Sequence, residues 1–365
     1  LGAFLLFQIQ PMTSRALLPA FGGSYLVWGA CMVFYQFVLL AGYGYVHFSG
    51  RWTGRHPWAR LHWYLMLLPV LCFPFRLDQP GVVPAGSFVA WSVFTQLAVT
   101  VGLPVLALAT VSIMVQRWYE GSDLPGRNDP YSLYAASNLG SLGGLLSYPF
   151  MVEPLISISV QEETWWIGYA VLLVLLRFCA PSRARVLEKT VVGFAAGGSA
   201  PGDIESWFLP SAAACAMLLA VTNLLTFDVA SVPFLWVLPL AVYLLSFVLA
   251  FKKQPWLPGW LPQAFSWSLL AGLLLHLLSQ FRLSLPAIPA VAIHMLILFF
   301  ACLMATGLLV GSKPVDTGRL SSFYVWIAVG GLVGSFCVSW IVPMVSRSLV
   351  EYPLSLAFLS GAVAW

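Results

Sequence analysis

Long apolar runs separated by short polar loops dominate the pattern of the chain. A helix needs about 20 mainly apolar residues to cross the hydrocarbon core of a bilayer. Twelve runs meet this length or look like parts of such a helix: about 1–10, 24–48, 60–76, 87–116, 131–152, 164–180, 206–226, 231–251, 262–281, 286–312, 321–343 and 350–365. The pattern predicts an all-α polytopic membrane protein with about 12 transmembrane helices. The first and last runs are short, so we expect both terminal helices to be truncated.

Two pairs of segments repeat along the chain. Trp28 and Tyr35 recur 208 positions later as Trp236 and Tyr243. A second match has an offset of 190 and joins Ser132, Tyr134, Gly140, Leu142 and Gly144 to Ser322, Tyr324, Gly330, Leu332 and Gly334. Both matches keep the order and direction of the chain. Parallel repeats of this kind are typical of the two halves of major-facilitator transporters.

The repeats divide the chain into two six-helix halves. The polar stretch between them is rich in glycine, serine and charge, as a flexible linker would be. We therefore predict a first membrane half at 1–180, a cytoplasmic linker at 181–205 and a second membrane half at 206–365. The expected fold is transporter-like and resembles that of the major facilitators.

Small residues form a seam along the fifth span and its counterpart. Ala136, Gly140 and Gly144 are spaced by four residues, and Gly330 and Gly334 repeat the last two. Small side chains let helix backbones approach closely where lipid gives no hydrophobic drive for association. We expect these five residues to be helix-packing positions, within the chain or against other membrane subunits. The alternative is that the match only reflects how common glycine is in membrane helices.

Charge is scarce and lies in the loops. The chain is 60% hydrophobic and 8% charged, whereas a soluble domain carries about 25% charged residues. Alternating the spans places 13 of the 17 Lys and Arg residues on one side, which the positive-inside rule identifies as the cytoplasmic side, with both termini. The net charge of +4 is spread over short loops, so we expect the lipid bilayer, not nucleic acid, as partner. We predict a multi-pass protein of a bacterial inner membrane.

Several polar residues stand near the predicted outer ends of the spans. Ionisable groups at this depth are costly and usually face a cavity or one another. The set is a candidate ligand site between the halves, open to the outside, with carboxylates suited to a small polar or cationic solute: Gln10, Arg15, Glu153, Asn223, Asp228 and Glu351. Asn138 is a further candidate, because its amide lies inside the apolar run of the fifth span and needs a partner. The alternative is that Asp228 caps a helix and Arg15 reaches the lipid headgroups.

Catalytic and cofactor motifs are missing from the sequence. We find no nucleophile–base pair, phosphate loop or metal-ligand spacing, and the six cysteines have no paired spacing, so we expect no catalytic residue, no metal and no cofactor. His276 and His294 lie in neighbouring spans and could face each other. A haem between the two imidazoles is one interpretation, and a hydrogen-bonded histidine within the bundle is the other.

Four segments resemble the spermidine-synthase-like integral membrane proteins, a fused major-facilitator/spermidine synthase type. They are QPMTSRALLPAFGGSYLVWGACMVFYQFVLLAGYGYVH, DPYSLYAASNLGSLGGLLSYPFMVEP, LLAVTNLLTFDVASVPFLWVLPLAVYLLSFVLAF, and LSSFYVWIAVGGLVGSF with EYPLSLAF. The resemblance implies a synthase domain after the last helix, but the sequence ends first, at Trp365. The glycine clusters GSLGGLL and GGLVGSF lie inside apolar helices, without the strand–loop–helix context of a nucleotide site. We therefore expect no synthase active site within 1–365.

Three functions remain open. The first is the membrane domain of a spermidine-synthase-like protein that binds or transports a small polar or cationic solute. The second is a structural or accessory subunit of a larger membrane complex. The third, which rests on the resemblance alone, is a membrane anchor for a cytoplasmic synthase or methyltransferase domain.

Overall fold

The computed structural model describes residues 1–22, 24–50, 57–72, 88–120, 122–125, 130–179, 201–228, 233–281, 283, 285–315, 319–346 and 349–364. Among these residues all regular structure is helical. Backbone N–H and C=O groups in lipid must find partners within the chain, and a helix satisfies them inside one segment. The apolar runs therefore fold as helices.

Seven helices of more than ten residues lie in the described part of the first half. These are α1 (Gly2–Phe21), α2 (Tyr25–Gly50), α3 (Pro57–Leu67, continued by a 3₁₀ turn at Leu68–Cys72), α4 (Val89–Thr100), α5 (Gly102–Glu120), α6 (Tyr131–Ser147) and α7 (Ile158–Cys179). The chain bends by 76° between α4 and α5. Pro104 stands just after this bend, and a proline cannot donate the hydrogen bond that would join it to Thr100.

Six helices of more than ten residues lie among the described residues of the second half. These are α8 (Pro201–Asp228), α9 (Pro233–Phe251), α10 (Leu261–Gln280), α11 (Ala287–Gly311), α12 (Leu320–Phe336) and α13 (Glu351–Ala364). When α4 and α5 are taken as one bent span, the described helices fall at the twelve predicted positions. Five of them are long and apolar enough to cross a membrane by length and composition, or six with the bent pair included.

The two halves repeat an unusual local feature. Helix α6 continues into a π-helical turn at Tyr148–Val152, and α12 continues into a π-helical turn at Cys337–Ile341. A proline, Pro154 or Pro343, follows each turn two residues later. A π-turn and a proline are the usual causes of a sharp bend in a long helix. The repeat found in the sequence is thus also a repeat of backbone geometry.

The glycine seams pack against helices of the same half. Gly144 of α6 lies against the backbone of Phe4 in α1, where a Cβ would overlap the Phe4 carbonyl group. Gly334 of α12 lies in the same way against the carbonyl group of Ala212 in α8. Such close backbone approach is what small residues allow in a membrane helix pair. The glycines therefore join α1 to α6 and α8 to α12.

Candidate functional site

A cavity of about 420 Å³ lies between the two halves. Its lining comes from α1, α2, α5, α6 and α7 of the first half and from α8, α9 and α12 of the second. Small-molecule sites usually occupy about 300–1,000 Å³ and are mostly apolar with a few placed polar groups. The cavity has this size and this character, and it is the candidate site.

Carboxamides supply part of the polar lining. Gln10 of α1 is only 5% exposed, and no described group hydrogen-bonds to its carboxamide. Gln36 of α2 reaches across to the second half, where its Nε2 lies 3.5 Å from the Cys215 sulfur. Asn138 of α6 donates through Nδ2 to the carbonyl oxygen of Tyr134 at 2.8 Å, which leaves its Oδ1 able to accept. The cavity thus offers both hydrogen-bond donors and acceptors.

Tyrosines form much of the remaining lining. Tyr35 and Tyr43 come from α2, Tyr134 from α6 and Tyr243 from α9, and all four line the cavity. The hydroxyl of Tyr35 is hydrogen-bonded to Thr13 of α1. Tyrosine offers a flat apolar ring together with a polar tip. The walls can therefore hold a ring-shaped or partly apolar solute.

An aromatic pair joins the halves on the predicted outer side of the cavity. Trp28, one turn into α2, stacks on Trp236, one turn into α9, with ring centroids 5.1 Å apart and an interplanar angle of 18°. Each side chain is only 2% exposed. The indole N–H of Trp236 donates to Thr226 at 3.2 Å. The stacked rings therefore form a buried contact between the halves at this end.

A second aromatic pair joins the halves on the predicted inner side. The rings of Tyr134 and Tyr324 lie 4.7 Å apart between centroids. The Tyr324 hydroxyl donates to Gln116 Oε1 at 2.8 Å. The Tyr131 hydroxyl donates to the carbonyl oxygen of Pro314, also at 2.8 Å. These contacts all cross from the first half to the second.

Both aromatic pairs are formed by residues that the sequence repeats identify as counterparts. Trp28 and Trp236 are related by the offset of 208, and Tyr134 and Tyr324 by the offset of 190. In a twofold arrangement a residue touches its own counterpart only where it lies close to the symmetry axis. The pseudo-twofold axis therefore passes close to the outer pair and close to the inner pair.

The predicted ligand residues do not come together in one place. Gln10 and Asn138 line the cavity. Arg15 forms an ion pair with Glu153, with Nε 3.3 Å from Oε1, inside the first half. The carboxamide of Asn223 donates to Glu351 Oε1 at 3.2 Å, and this buried pair links α8 to α13 inside the second half.

The side chain of Asp228 lies outside the described part of the structure. Of the packing positions, Ala136 and Gly140 also line the cavity. At Gly140 a Cβ would be 3.8 Å from the nearest Phe4 atom, an ordinary contact, whereas at Gly330 it would overlap the carbonyl group of Phe208. The two counterparts, Gly140 and Gly330, therefore differ in how closely they are packed.

The two candidate haem histidines both lie beside Tyr352. The ring of His276 is 6.4 Å and that of His294 is 5.5 Å from the Tyr352 ring. Nδ1 of His294 is 2.7 Å from the carbonyl oxygen of Ala290. Within the described residues no group of three or more potential metal ligands occurs.

Sequence reasoning missed Gln36 and the lining tyrosines. A signal for two of them was present, because Tyr35 and Tyr243 are counterparts at the offset of 208. Repeated aromatic residues next to the axis face the space that the halves enclose. Gln36 carries no such signal, since its place in the cavity depends on how α2 packs against α8 and α12.

Comparison with known proteins shows a transporter fold. No protein-family model matches the chain, and no curated protein matches it significantly. The chain resembles the major facilitator superfamily proton:xylose symporter XylE bound to 6-bromo-6-deoxy-D-glucose, with a TM-score of 0.61, 13% identity, and coverage of 100% of this chain and 92% of that one.

Two further solved structures are similar. The human organic anion transporter MFSD10 (TETRAN) has a TM-score of 0.56 at 12% identity and covers 99% of this chain and 97% of its own. A POT family transporter in complex with 5-aminolevulinic acid has a TM-score of 0.53 at 15% identity, with 100% and 92% covered. At these identities the likeness shows the fold alone. The chain is a transporter-like, multi-pass membrane protein of major-facilitator architecture.

The resemblance to spermidine-synthase-like proteins is wrong. The structural neighbours are sugar, organic anion and POT family transporters, and nothing in the comparisons connects the chain with a synthase. The segments that suggested it are apolar stretches with small and aromatic residues, which are common in the membrane helices of unrelated proteins. The membrane-anchor alternative falls with this resemblance, and the neighbours do not support the accessory-subunit alternative.

Proposed function

We propose that the protein transports a small solute by alternating access, with the cavity between the halves as the solute site. The observation that carries the proposal is a cavity lined by helices of both halves, together with two aromatic pairs that each join the halves. The transporter neighbours support the same class of function.

The two pairs act as alternate gates in this proposal. Opening toward the outer side requires the Trp28–Trp236 stack to separate while the inner contacts persist. Opening toward the inner side requires Tyr134 and Tyr324 to separate while the tryptophans stay stacked. Rocking of two rigid halves about a fixed site produces this alternation.

Distance measurements between spin labels test the proposal without any known solute. One label pair, Leu155→Cys with Val345→Cys, reports on the outer side, and these positions are 76% and 84% exposed. The other, Leu124→Cys with Val315→Cys, reports on the inner side, at positions 58% and 99% exposed. Exposed Cys179 is first replaced by Ser, and the parent chain is checked for residual labelling.

Substituting an aromatic residue of one gate should lengthen the label distance on one side of the protein and shorten it on the other. Trp28→Ala removes a stacked aromatic pair, worth about 1 kcal/mol beyond its buried area. This corresponds to about a fivefold change in the ratio of the two states, so the outer distance should lengthen and the inner distance shorten. Tyr324→Ala should do the reverse.

The matched control is Trp267→Ala. Trp267 is 71% exposed on α10 and belongs to neither gate, so its removal should change neither distance. If Trp28→Ala and Tyr324→Ala leave both distances as they are in the parent chain, the halves do not alternate and the proposal fails.

A further inference from the structure

The lining of the cavity carries no charged side chain among the described residues. Two charged groups on its helices are engaged away from it. Arg15 of α1 is paired with Glu153, and Arg117 of α5 donates to the carbonyl oxygen of Val46 at 2.9 Å. A buried charge without a partner is far more costly than a buried polar group that is hydrogen-bonded. Among the described lining residues, an ion in this cavity would meet no compensating charge.

The polar groups that line the cavity are neutral, and their carboxamides can both donate and accept hydrogen bonds. A carboxamide has two donor hydrogens and an acceptor oxygen, so it can bind a hydroxyl or an amide in either sense. Gln10 is buried and has no partner among the described residues, and Asn138 keeps its oxygen free to accept. These groups face the cavity, so a solute that enters can form hydrogen bonds with them.

We propose that the cavity binds an uncharged solute with a ring or compact apolar body and a hydroxyl or amide group, and that it rejects organic cations and anions. The tyrosine rings hold the apolar part, while Gln10, Gln36 and Asn138 hold the polar part. This inference rests on the proposed function, because it names the solute class for the same site.

Three probes on one scaffold test the selection by charge. Benzamide is neutral, benzoate is an anion and benzylamine is a cation at pH 7, while the phenyl ring is common to all. Binding to the full chain in lipid nanodiscs is followed by saturation-transfer NMR. Ser137→Trp places a large side chain at a lining position and should block the cavity. The part of the signal that the parent chain gives and this variant lacks is taken as binding in the cavity. Ala136→Phe, at a second lining position, replaces it if Ser137→Trp does not fold.

Benzamide should bind in the cavity at least tenfold more tightly than either ion. In Gln10→Glu the preference should move toward benzylamine by at least tenfold, because the variant supplies the missing negative charge. Cavity binding of either ion as tight as that of benzamide overturns the inference, and so does the absence of cavity binding by all three probes. The distance measurement above uses no ligand, so alternation of the halves can stand while the solute class fails.

Discussion

The glycine seam of α6 leads to a prediction that separates two neighbouring positions. Gly140 and Gly144 are one turn apart on α6 and both face α1. A methyl group on Gly140 would meet Phe4 at 3.8 Å and Ala3 at 3.9 Å, which are ordinary contacts. A methyl group on Gly144 would overlap the Phe4 carbonyl, and backbone cannot move aside as a flexible side chain can.

The expected magnitudes follow from these contacts. Replacing a helical glycine by alanine stabilises the helix by about 0.5–1 kcal/mol when there is room. Gly140→Ala should therefore be neutral or stabilising by up to this amount. Inserting a methyl group into a closely packed site costs about 1–3 kcal/mol. Gly144→Ala should be destabilising by about 1–2 kcal/mol after the helix gain is included, so the two variants should differ by about 2 kcal/mol.

Thermal unfolding in mild detergent, followed by tryptophan fluorescence, measures the difference. Gly140→Ala is the internal control, and Gly44→Ala is a second one, because a Cβ there would meet nothing within 4 Å. The expected order of melting temperatures places Gly144→Ala below the parent chain and the two controls at or above it. If Gly144→Ala melts together with Gly140→Ala, α1 and α6 are not in backbone contact and the reasoning is refuted.

Two further predictions concern polar pairs within the second half. Glu351→Leu should destabilise the protein by about 1–3 kcal/mol because it leaves the buried Asn223 amide without its acceptor, whereas Glu351→Gln keeps an oxygen there and should melt closer to the parent. Equal melting of the two variants would count against this hydrogen bond. Asp203→Asn breaks the ion pair with Arg319, which is partly exposed, and should cost about 1 kcal/mol or less. Its effect on the melting temperature should shrink in high salt, and an effect that grows with salt would contradict the ion-pair interpretation.

The helices and their pairing could be predicted from the sequence because lipid leaves the backbone few choices. Each apolar run had to become a helix, so a described helix falls at each of the twelve predicted spans. The first span was predicted too short, because α1 continues through the polar residues after position 10 and ends at Phe21. The offsets of 208 and 190 also identified the parallel repeats, since they preserve the residues that pack near the axis. The internal repeat identified Trp28 and Trp236 as counterparts from the sequence alone, and the structure places their ring centroids 5.1 Å apart.

The candidate site depended on information that the sequence pattern does not contain. Depth along a helix can be predicted from the position of a residue in its span, but the direction in which it faces cannot. Gln10 and Arg15 leave the same span five residues apart, yet Gln10 lines the cavity while Arg15 binds Glu153. Grouping polar residues by depth therefore joined side chains that belong to separate places.

By itself, the sequence determined that this chain is an all-helical membrane protein built from two parallel repeats, because hydropathy and internal matching are properties of the chain alone. Only the tertiary structure decided which repeated residues meet on the axis, which glycines touch backbone and which polar groups enter the cavity. Counterpart positions such as Gly140 and Gly330 look alike in the sequence, but only Gly330 is packed against a carbonyl group. These differences are set by the distances between α1 and α6 and between α8 and α12, which arise when the helices of each half pack together.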